Sequence, residues 1–550
     1  MLVCQDTTVG QHIRKRPNTK HPDGMRRQWH YRYLFVLLLS VYTVTRAEDK
    51  MKVNLSAKRL ESYMIHGEPC QKLTGEVVLV LEKCIIQADN AIYYEKEELI
   101  EAQGHVKITH EDGSTIVADR LTYDERSHLA KLRGHVVYES GTTTFYTDYF
   151  DYDMETKQGH FVQGGKLIEG ANVLTSESGQ YNDLEKTATF DQKVVLTNED
   201  YTLQCDSLHY NTVTKIARFA GTTKITSKDG KQTLTTYEGG EYNTSNQQST
   251  FTQSRIDTEG YTLYGDLIRT DKAEEVYTAT GNVKLIVVED NTIISGDYGQ
   301  YKKEESTAEV YGNALMTKCL GEDTLYLSAD TFVATKNKSA QDSADDVMVR
   351  AFHNVKIYKE DLQGKADSMV YQGADATIHF YGDPIFWSGT NQLTADAVHI
   401  TLQRKTLHEM HMNTRAFVAF EDALGNYNQL QGRNMIAFFK ENKITSIEID
   451  GNAESIYFVV AENGQLQGMN HLRCGQIHIN IESEAIADIT FRRKPTGAFY
   501  PPNKIEETIK KLEHFNWRID ERPTKQEVVA HGYGMRKTYE KFKLNQKQED

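Results

Sequence analysis

Ala88-Asp89-Asn90-Ala91-Ile92-Tyr93 and Ala118-Asp119-Arg120-Leu121-Thr122-Tyr123 share one pattern: a small residue, an acid, then an apolar residue and a tyrosine at alternate positions. The acidic position recurs about every thirty residues, and two weaker copies follow with Arg433 and Gly475 in its place. A fixed period of this length indicates stacked repeat units, since no unit can bury its apolar face alone. We therefore expect function to belong to the whole stacked surface. The acidic positions are Asp89, Asp119, Asp148, Glu177, Asp206, Glu238, Asp266, Asp297, Asp330, Asp367 and Asp396.

A second element alternates with the first: a glycine, a polar residue and Val or Ala, as in Gly104-His105-Val106 and Gly281-Asn282-Val283. No proline occurs between residues 70 and 383, which suits a continuous sheet because proline removes a ladder donor. The pattern predicts two strands per unit, joined by tight polar turns and paired antiparallel in sequence order. We place the acid at the entry of a strand, where it can bond local backbone groups.

The N-terminus resembles an export signal. Basic residues at positions 26–32 precede a short apolar stretch at 34–39, and Thr45-Arg46-Ala47 offers small residues at a cleavage site. The apolar stretch is short for a spanning helix, so we predict cleavage near Glu48, with an uncleaved anchor as the alternative. Met25 is an alternative start. We therefore divide the chain into an N-terminal extension with signal (1–47), about thirteen repeats (48–494) and a C-terminal segment (495–550).

The net charge of −15 disfavours nucleic acid and anionic membrane surfaces as partners, because both select basic faces. Cys70 and Cys84 are the only local cysteine pair, and we predict that they form a disulfide in an oxidising compartment. In the C-terminal segment, Asn503 and Glu506 predict a capped helix through Leu512, followed by a polar tail. This segment is either an end cap or a docking element.

Catalytic and metal-binding patterns are weak. His408-Glu409-Met410-His411 lacks the five-residue zinc-protease pattern, and acids thirty residues apart cannot share a calcium cage. We predict no metal, no cofactor and no enzymatic activity. The tyrosines of the first element have two interpretations: packing between neighbouring units, or a ladder that lines an apolar channel. They are Tyr93, Tyr123, Tyr152, Tyr181, Tyr210, Tyr242, Tyr301 and Tyr371.

The alternation of the two elements behind a signal resembles the OstA-like (organic solvent tolerance) family, which includes the lipopolysaccharide transport proteins LptA and LptC and the N-terminal domain of LptD. The resemblance covers roughly residues 55–490. It implies an all-β fold, an elongated repetitive antiparallel β-jelly-roll whose two leaves open like a V, with a short helical C-terminal segment. It also implies a groove that shelters acyl chains, with candidate groove residues Tyr93, Val106, Tyr123, Val136, Tyr152, Leu208, Tyr210 and Val283.

The resemblance implies non-enzymatic periplasmic binding and bridging of lipopolysaccharide for its transport to, and assembly of, the outer membrane. The implied partners are lipid A acyl chains and other transport components, which would add to the end strands of the sheet. End-to-end self-association would use the same edges. The alternative is an exported structural or adhesive repeat protein with a filled core and no lipid ligand.

Overall fold

A computed structural model describes residues 54–81, 84–287, 292–320, 323–336, 347–403, 406–440, 443–482 and 485–530. The described residues form 36 strands in one antiparallel sheet, with 73% strand and 3% helix. The predicted all-β fold, a repetitive antiparallel β-jelly-roll, is therefore confirmed. No helix in these ranges is long and apolar enough to span a bilayer. The predicted signal at 1–47 lies outside the described residues.

The strands of the N-terminal half follow one another along the chain, mostly as antiparallel neighbours joined by short turns. They are β1 (Asn54–Ser56), β2 (Arg59–Ile65), β3 (Glu68–Val80), β4 (Cys84–Tyr94), β5 (Leu99–His110), β6 (Thr115–Asp124), β7 (Leu129–Ser140), β8 (Thr143–Asp153), β9 (Gln158–Phe161), β10 (Gly165–Glu169), β11 (Asn172–Ser176), β12 (Ser178–Asn182), β13 (Thr187–Thr197), β14 (Tyr201–Asn211), β15 (Ile216–Ala220), β16 (Thr223–Ser227), β17 (Thr233–Thr236) and β18 (Gly240–Asn243).

The strands of the C-terminal half continue the same pattern, and several of them are longer. They are β19 (Gln248–Asp257), β20 (Tyr261–Asp271), β21 (Val276–Val287), β22 (Thr292–Lys302), β23 (Thr307–Leu320), β24 (Asp323–Lys336), β25 (Val347–Lys359), β26 (Leu362–Gln372), β27 (Thr377–Tyr381), β28 (Ile385–Ser388), β29 (Asn391–Thr394), β30 (Ala397–Gln403), β31 (Thr406–Glu421), β32 (Tyr427–Lys440), β33 (Lys443–Val460), β34 (Leu466–Glu482), β35 (Ala485–Arg492) and β36 (Thr496–Tyr500).

Each long strand is interrupted near its middle, and the interruptions line up into a crease. Between β4 and β5 the register runs to Gln87–Lys107 and resumes at Asn90–Gln103. The crease divides every long strand into two halves, and β8 pairs through one half with β9 and through the other with β10. We call the two halves of the sheet leaf A (residues such as 90–94 and 99–103) and leaf B (residues such as 84–88 and 106–110). The side opposite the crease, where the turns lie, is the mouth.

Most of the recurring acids lie at the crease in the middle of strands, so their predicted position at strand entry is wrong. Glu177, Glu238 and Asp396 are exceptions, because they lie between strands. Asp89 interrupts β4, and His105 Nδ1 of the next strand lies 2.8 Å from its carboxylate. Asn282 donates to Asp266 in the same way, at 2.6 Å. The glycine before this polar residue has positive φ, 77° at Gly104, where a Cβ would lie 2.5 Å from the Asp89 carboxylate. The acid and the Gly-polar pair are thus two sides of one bend.

The two leaves face each other across a packed core. Tyr138 of leaf B has its ring centroid 6.2 Å from that of Tyr152 and 5.7 Å from that of Tyr181, both on leaf A. Phe145 of leaf B lies 4.8 Å from Phe161 of leaf A. Because residues one pleat apart point to opposite faces, every second residue of each half-strand enters this layer.

After β36, residues 501–530 lie across the outer face of leaf B, and we call these residues the strap. The helix predicted for residues 505–512 is wrong, because these residues contain only the short 3₁₀ turn Glu507–Ile509. In the described part of the C-terminal segment, the α-helix α1 spans Lys525–Ala530 instead. Thr524 caps α1 reciprocally with Glu527, whose carboxylate accepts from the Thr524 amide at 2.8 Å. Sequence reasoning chose the earlier cap because Asn503 and Glu506 match the same spacing. The polar tail lies outside the described residues.

Three buried glutamines on the outer face of leaf B hold the strap. Gln429 accepts from the Leu512 amide at 2.8 Å and donates to the Lys510 carbonyl at 2.7 Å. Gln392 bonds the strap backbone in the same two-sided way, and Gln363 accepts from the Arg522 guanidinium. Leu512 is buried beside residues of leaf B. The strap therefore binds the sheet as a specifically hydrogen-bonded layer.

The predicted disulfide between Cys70 and Cys84 is wrong. Both thiols are free, and Cys70 lies opposite Tyr94, at the far end of the strand that Cys84 begins. Cys70 lies in leaf A and Cys84 in leaf B, with the crease of β3 and β4 between them along the chain. Their proximity in sequence misled because the β3–β4 hairpin pairs Cys70 with Tyr94, at the other end of β4, and not with Cys84.

Candidate functional site: the interior between the two leaves

All eight candidate groove residues point into the layer between the leaves. Each is buried except Tyr93, which is half-buried against the core. Leu208 and Tyr210 share the inner face of one leaf A half-strand, and Val106, Val136 and Val283 stand directly after the crease on leaf B. The leaf A residues are Tyr93, Tyr123, Tyr152, Leu208 and Tyr210. The sequence pattern thus identified one continuous inner face.

The interior is filled rather than open along much of its length. A single core cluster runs from Leu73 to Val283, and its members are less than 9% exposed. Tyr152 and Phe150 are among the largest buried side chains. Tyr123, Tyr152 and Tyr210 are buried and therefore pack between units in this conformation, as the first interpretation of the pattern holds. Any ligand chain in this part would have to replace contacts between the leaves.

Within the described ranges, ion pairs cross the mouth and tie leaf A to leaf B at three places. Lys157, in a leaf A turn, lies 2.9 Å from Asp112 in a leaf B turn. Lys215 lies 2.5 Å from Glu169, which also accepts from the Tyr210 hydroxyl at 2.7 Å. The third pair joins Lys272 of leaf A to Asp200 of leaf B. We call these three pairs the latches. They hold the leaves together at the edge farthest from the crease.

The first latch is electrostatically well formed. Burial alone would raise the pKa of Asp112, but hydrogen bonds from Ser114 and Lys157 hold it well below the usual range. The carboxylate is therefore charged across the pH range of biological compartments. The hydrogen bond that Lys157 donates to Asp112 also raises the pKa of Lys157. Opening the leaves would separate two charges that favour their ionised forms.

A buried acid lies near the first strands of the mouth. Burial, together with the neighbouring Glu98 carboxylate, raises the pKa of Glu125 to about 7. Burial and the nearby Glu125 raise the pKa of Tyr93 to about 12. Tyr93 is the least buried of the candidate groove residues, so the acid lies beside the most accessible of them.

Beyond the third latch, inner side chains near the mouth are only half-buried. Leu285, Ile294, Met316 and Leu325 of leaf B have intermediate exposure, and Tyr301 of leaf A is 39% exposed. Nearer the crease, the inner residues of the same strands remain buried, for example Val283. The cluster that follows begins at Val310. We call this part of β21–β24 the open segment, because apolar inner surface is accessible there from the mouth.

A second opening lies between the leaves at the C-terminal end. A cleft of about 120 Å³ separates Ile479, Ile489 and Phe491 of leaf A from Leu430 and Leu472 of leaf B. Its walls are the same inner faces that pack against each other elsewhere in the chain. The interior is therefore closed in the middle of the first core cluster and accessible at the open segment and at this end.

Sequence reasoning missed the latches and the glutamines beneath the strap. A signal existed for two of the latches: Lys157 and Lys215 both end polar turns and stand 58 residues apart, two repeat periods. Their acidic partners on leaf B follow no such spacing, because they come from turns of variable length. Among the described residues, no cluster of three or more metal-binding side chains occurs.

Comparison with known proteins agrees with the geometry. A profile of the family described as OstA-like protein matches residues 50–206 and 186–266. A profile described as LptA/(LptD N-terminal domain) LPS transport protein matches residues 269–406. Comparison with curated proteins gave no match.

Two solved structures were compared with the fold. LptH, the LptA-homologous periplasmic component of the lipopolysaccharide transport device of Pseudomonas aeruginosa, is 14% identical over 25% of this chain and 81% of its own, with TM-score 0.14. The WD40 domain of SCAP from fission yeast is 10% identical over 78% and 97%, with TM-score 0.10. Neither score supports an argument. The two family profiles cover most of the folded sheet, and the chain belongs to the OstA-like family of lipopolysaccharide transport proteins.

Proposed function

We propose that this chain binds lipopolysaccharide in the periplasm, with the acyl chains between leaf A and leaf B, and bridges it toward the outer membrane. Family membership points to lipopolysaccharide transport. The observation that carries the finer proposal is the continuous apolar inner face, which becomes accessible at the open segment. The sugars and phosphates would stay in water at the mouth. The proposal gives the chain no catalytic step.

The energetics favour acyl chains as the bound part. Each buried methylene contributes about 0.8 kcal/mol, so several chains offset the loss of contacts between the leaves. The inner face carries small and large apolar residues in many of the units, for example Ala130 and Leu132 in one strand and Ala188 and Phe190 in another. Similar units give similar affinities along the interior, so a lipid can advance without a deep energetic trap.

The sheet ends supply the proposed contacts with other transport components. β1 and β2 pair only with β3, and β35 and β36 pair only with β34, in the part of the chain that the structure describes. Apolar side chains are exposed near both ends, including Met64 (63%) and Phe499 (56%). Such edges can accept a strand from a neighbouring component or from a second copy of this chain.

One observation favours the alternative, a structural repeat protein without a lipid ligand. The core from Leu73 to Val283 is filled in this conformation. Under the alternative, the latches are permanent and the leaves never separate. Under the proposal, they open when lipid is supplied.

Site-specific photocrosslinking to lipopolysaccharide separates the two functions. A photoreactive residue would replace Val136, Leu208 or Val283 on the inner face, with Lys131 and Lys302 as outer-face controls. Lys131 is exposed and Lys302 is half-buried on the outer side of leaf A. We expect lipid adducts at the inner positions only. A folded protein without inner adducts, or with equal adducts at the controls, contradicts the proposal.

A further inference from the structure

The outer face of leaf B carries a row of side chains that stand opposite one another in successive strands. The register runs from Lys107 through Val117, Val137 and Tyr146 to Lys166, and continues strand by strand to Lys365. No member of this described row between Lys107 and Lys365 is acidic. We call it the basic row. Lysines recur in it at every fourth strand: Lys107, Lys166, Lys224, Lys284 and Lys356.

The charge of the basic row is not explained by composition, because the chain has a net charge of −15. The corresponding outer row of leaf A mixes both signs: Glu101, Lys131 and Asp151 stand there close together. Further along leaf A, Arg218 forms an ion pair with Glu241. The row on leaf A is thus neutralised, whereas the row on leaf B carries only basic charge from Lys107 to Lys224. Further along leaf B, Arg255 of the row forms an ion pair with Asp257.

The strap shows what this face binds within the same chain. It crosses the outer face of leaf B in extended and 3₁₀ conformation, and Glu521 of the strap lies 2.8 Å from Lys365 of the basic row. Lys525 of α1 lies over the Tyr326 ring of β24. Helix α1 packs against β24 and β25. The described strap ends there, whereas the basic row continues to β5.

The remaining part of the row is accessible. Lys107, Lys166 and Lys224 are exposed, and the apolar residues Val117 and Tyr146 between them are 39% and 41% exposed. Cations of one sign with exposed apolar side chains between them are complementary to a peptide that carries both carboxylates and apolar side chains. This surface continues the face that the strap occupies.

We propose that the basic row from Lys107 to Lys224 is a docking surface for an extended acidic polypeptide segment of a partner protein. The segment would cross the strands as the strap does, with its carboxylates over the lysines and apolar side chains over Val117 and Tyr146. The surface lies outside the leaves, so the inference is independent of lipid binding in the interior.

The spacing of the lysines defines the ligand. Four strand spacings of about 4.8 Å place neighbouring lysines about 19 Å apart. An extended peptide advances about 3.3 Å per residue, so its carboxylates should recur about every sixth residue. A peptide with the same composition but clustered carboxylates can reach only one lysine at a time.

The test uses the full chain and two fluorescent peptides of identical composition, one with glutamates at every sixth residue and one with them clustered. The binding variant is Lys107→Glu, Lys166→Glu and Lys224→Glu. The control variant makes the same charge change on leaf A, at Lys72, Arg120 and Lys131, which are also exposed. Fluorescence anisotropy gives the affinities, at low and at physiological salt.

We expect the spaced peptide to bind the wild type more tightly than the clustered peptide, and the leaf B variant to weaken it about tenfold or more. The leaf A variant should bind like the wild type. Equal loss in both variants means that net charge alone governs binding and overturns the proposal. Binding of anionic vesicles or of a sulfated polysaccharide by the leaf B face, without binding of the spaced peptide, also overturns it.

Discussion

Neutralising the three latches should open the leaves without unfolding the sheet. The variant is Asp112→Asn, Glu169→Gln and Asp200→Asn, which removes the acid of each cross-mouth pair. Native cysteines report on the opening, because Cys84 and Cys205 are free, inner and buried. Burial raises the pKa of the Cys84 thiol to about 11 and that of Cys205 to about 12, so both react slowly while the leaves are closed.

The size of the effect follows from the surroundings of each pair. Asp112 and Lys157 are partly exposed, as are Asp200 and Lys272, and such pairs contribute about 0.5 kcal/mol each. Glu169 is only 14% exposed and has two partners, so its loss costs about 1 kcal/mol or slightly more. The total of about 2 kcal/mol corresponds to a rise of about 30-fold in the open population.

Thiol labelling with a maleimide, followed by peptide mass spectrometry, measures that population. Labelling of Cys84 and Cys205 should accelerate about 30-fold, since the rate is proportional to the open fraction. Exposed Cys319 should react at the same rate in both proteins and serves as an internal reference. The melting temperature monitors global unfolding.

A matched control removes three acids from pairs within leaf A. The variant Glu68→Gln, Glu98→Gln and Glu275→Gln breaks ion pairs with Lys96, Arg126 and Lys303, which join neighbouring turns of the same leaf. Its charge change equals that of the latch variant. Unchanged labelling in the latch variant, or equal acceleration in the control, would refute the role of the latches.

Three further predictions concern stability. The pKa of Glu125 is raised above its unfolded value, so its protonated form favours the fold at low pH, and this contribution is lost as the pH rises through about 7. Glu125→Gln should therefore stabilise the protein at pH 8 by about 1–2 kcal/mol and by less at pH 5. Urea denaturation at the two pH values measures both gains. Gly104→Ala should lower the free energy of unfolding by about 2–3 kcal/mol and Gly113→Ala by about 1 kcal/mol. Both glycines have positive φ, but only at Gly104 would the new Cβ meet the Asp89 carboxylate. Equal losses in the two variants would contradict this reasoning. Gln429→Leu should cost about 2–3 kcal/mol and make the strap sensitive to limited proteolysis, because two buried backbone groups lose their partner.

The sequence predicted the fold because the fold depends on periodicity, but it does not determine which face of the strands points inward. The spacing of Asp89, Tyr93 and Val106 recurs in the next unit as Asp119, Tyr123 and Val136, and a residue's face in a strand follows from its parity. The crease shifts the register in the same way in successive strands, so the alternation of inner and outer residues continues from one unit to the next. Tyr123 and Tyr152 could therefore be assigned to one face without knowledge of the bend itself.

The crease was not predictable from the local pattern, because an acid near a glycine fits a turn as well as a mid-strand bend. Asp89 meets His105 sixteen residues later only once the two strands pair. The strap also depends on tertiary contacts, since Gln429 and Gln392 look like ordinary strand residues in sequence. The separation of Cys70 and Cys84 likewise depends on strand register, which pairs Cys70 with Tyr94 across the crease from Cys84.

The central claim is that the leaves separate to admit acyl chains, and a distance measurement across the mouth tests it most directly. Spin labels would be placed at Glu111 of leaf B and Thr156 of leaf A, both exposed, beside the first latch. A same-leaf pair at Ser127 and Thr156 is the control. With lipopolysaccharide, the cross-mouth distance distribution should shift to longer values and the control should not, whereas the delipidated polysaccharide should change neither. An unchanged cross-mouth distance in protein that has bound lipopolysaccharide would contradict the account.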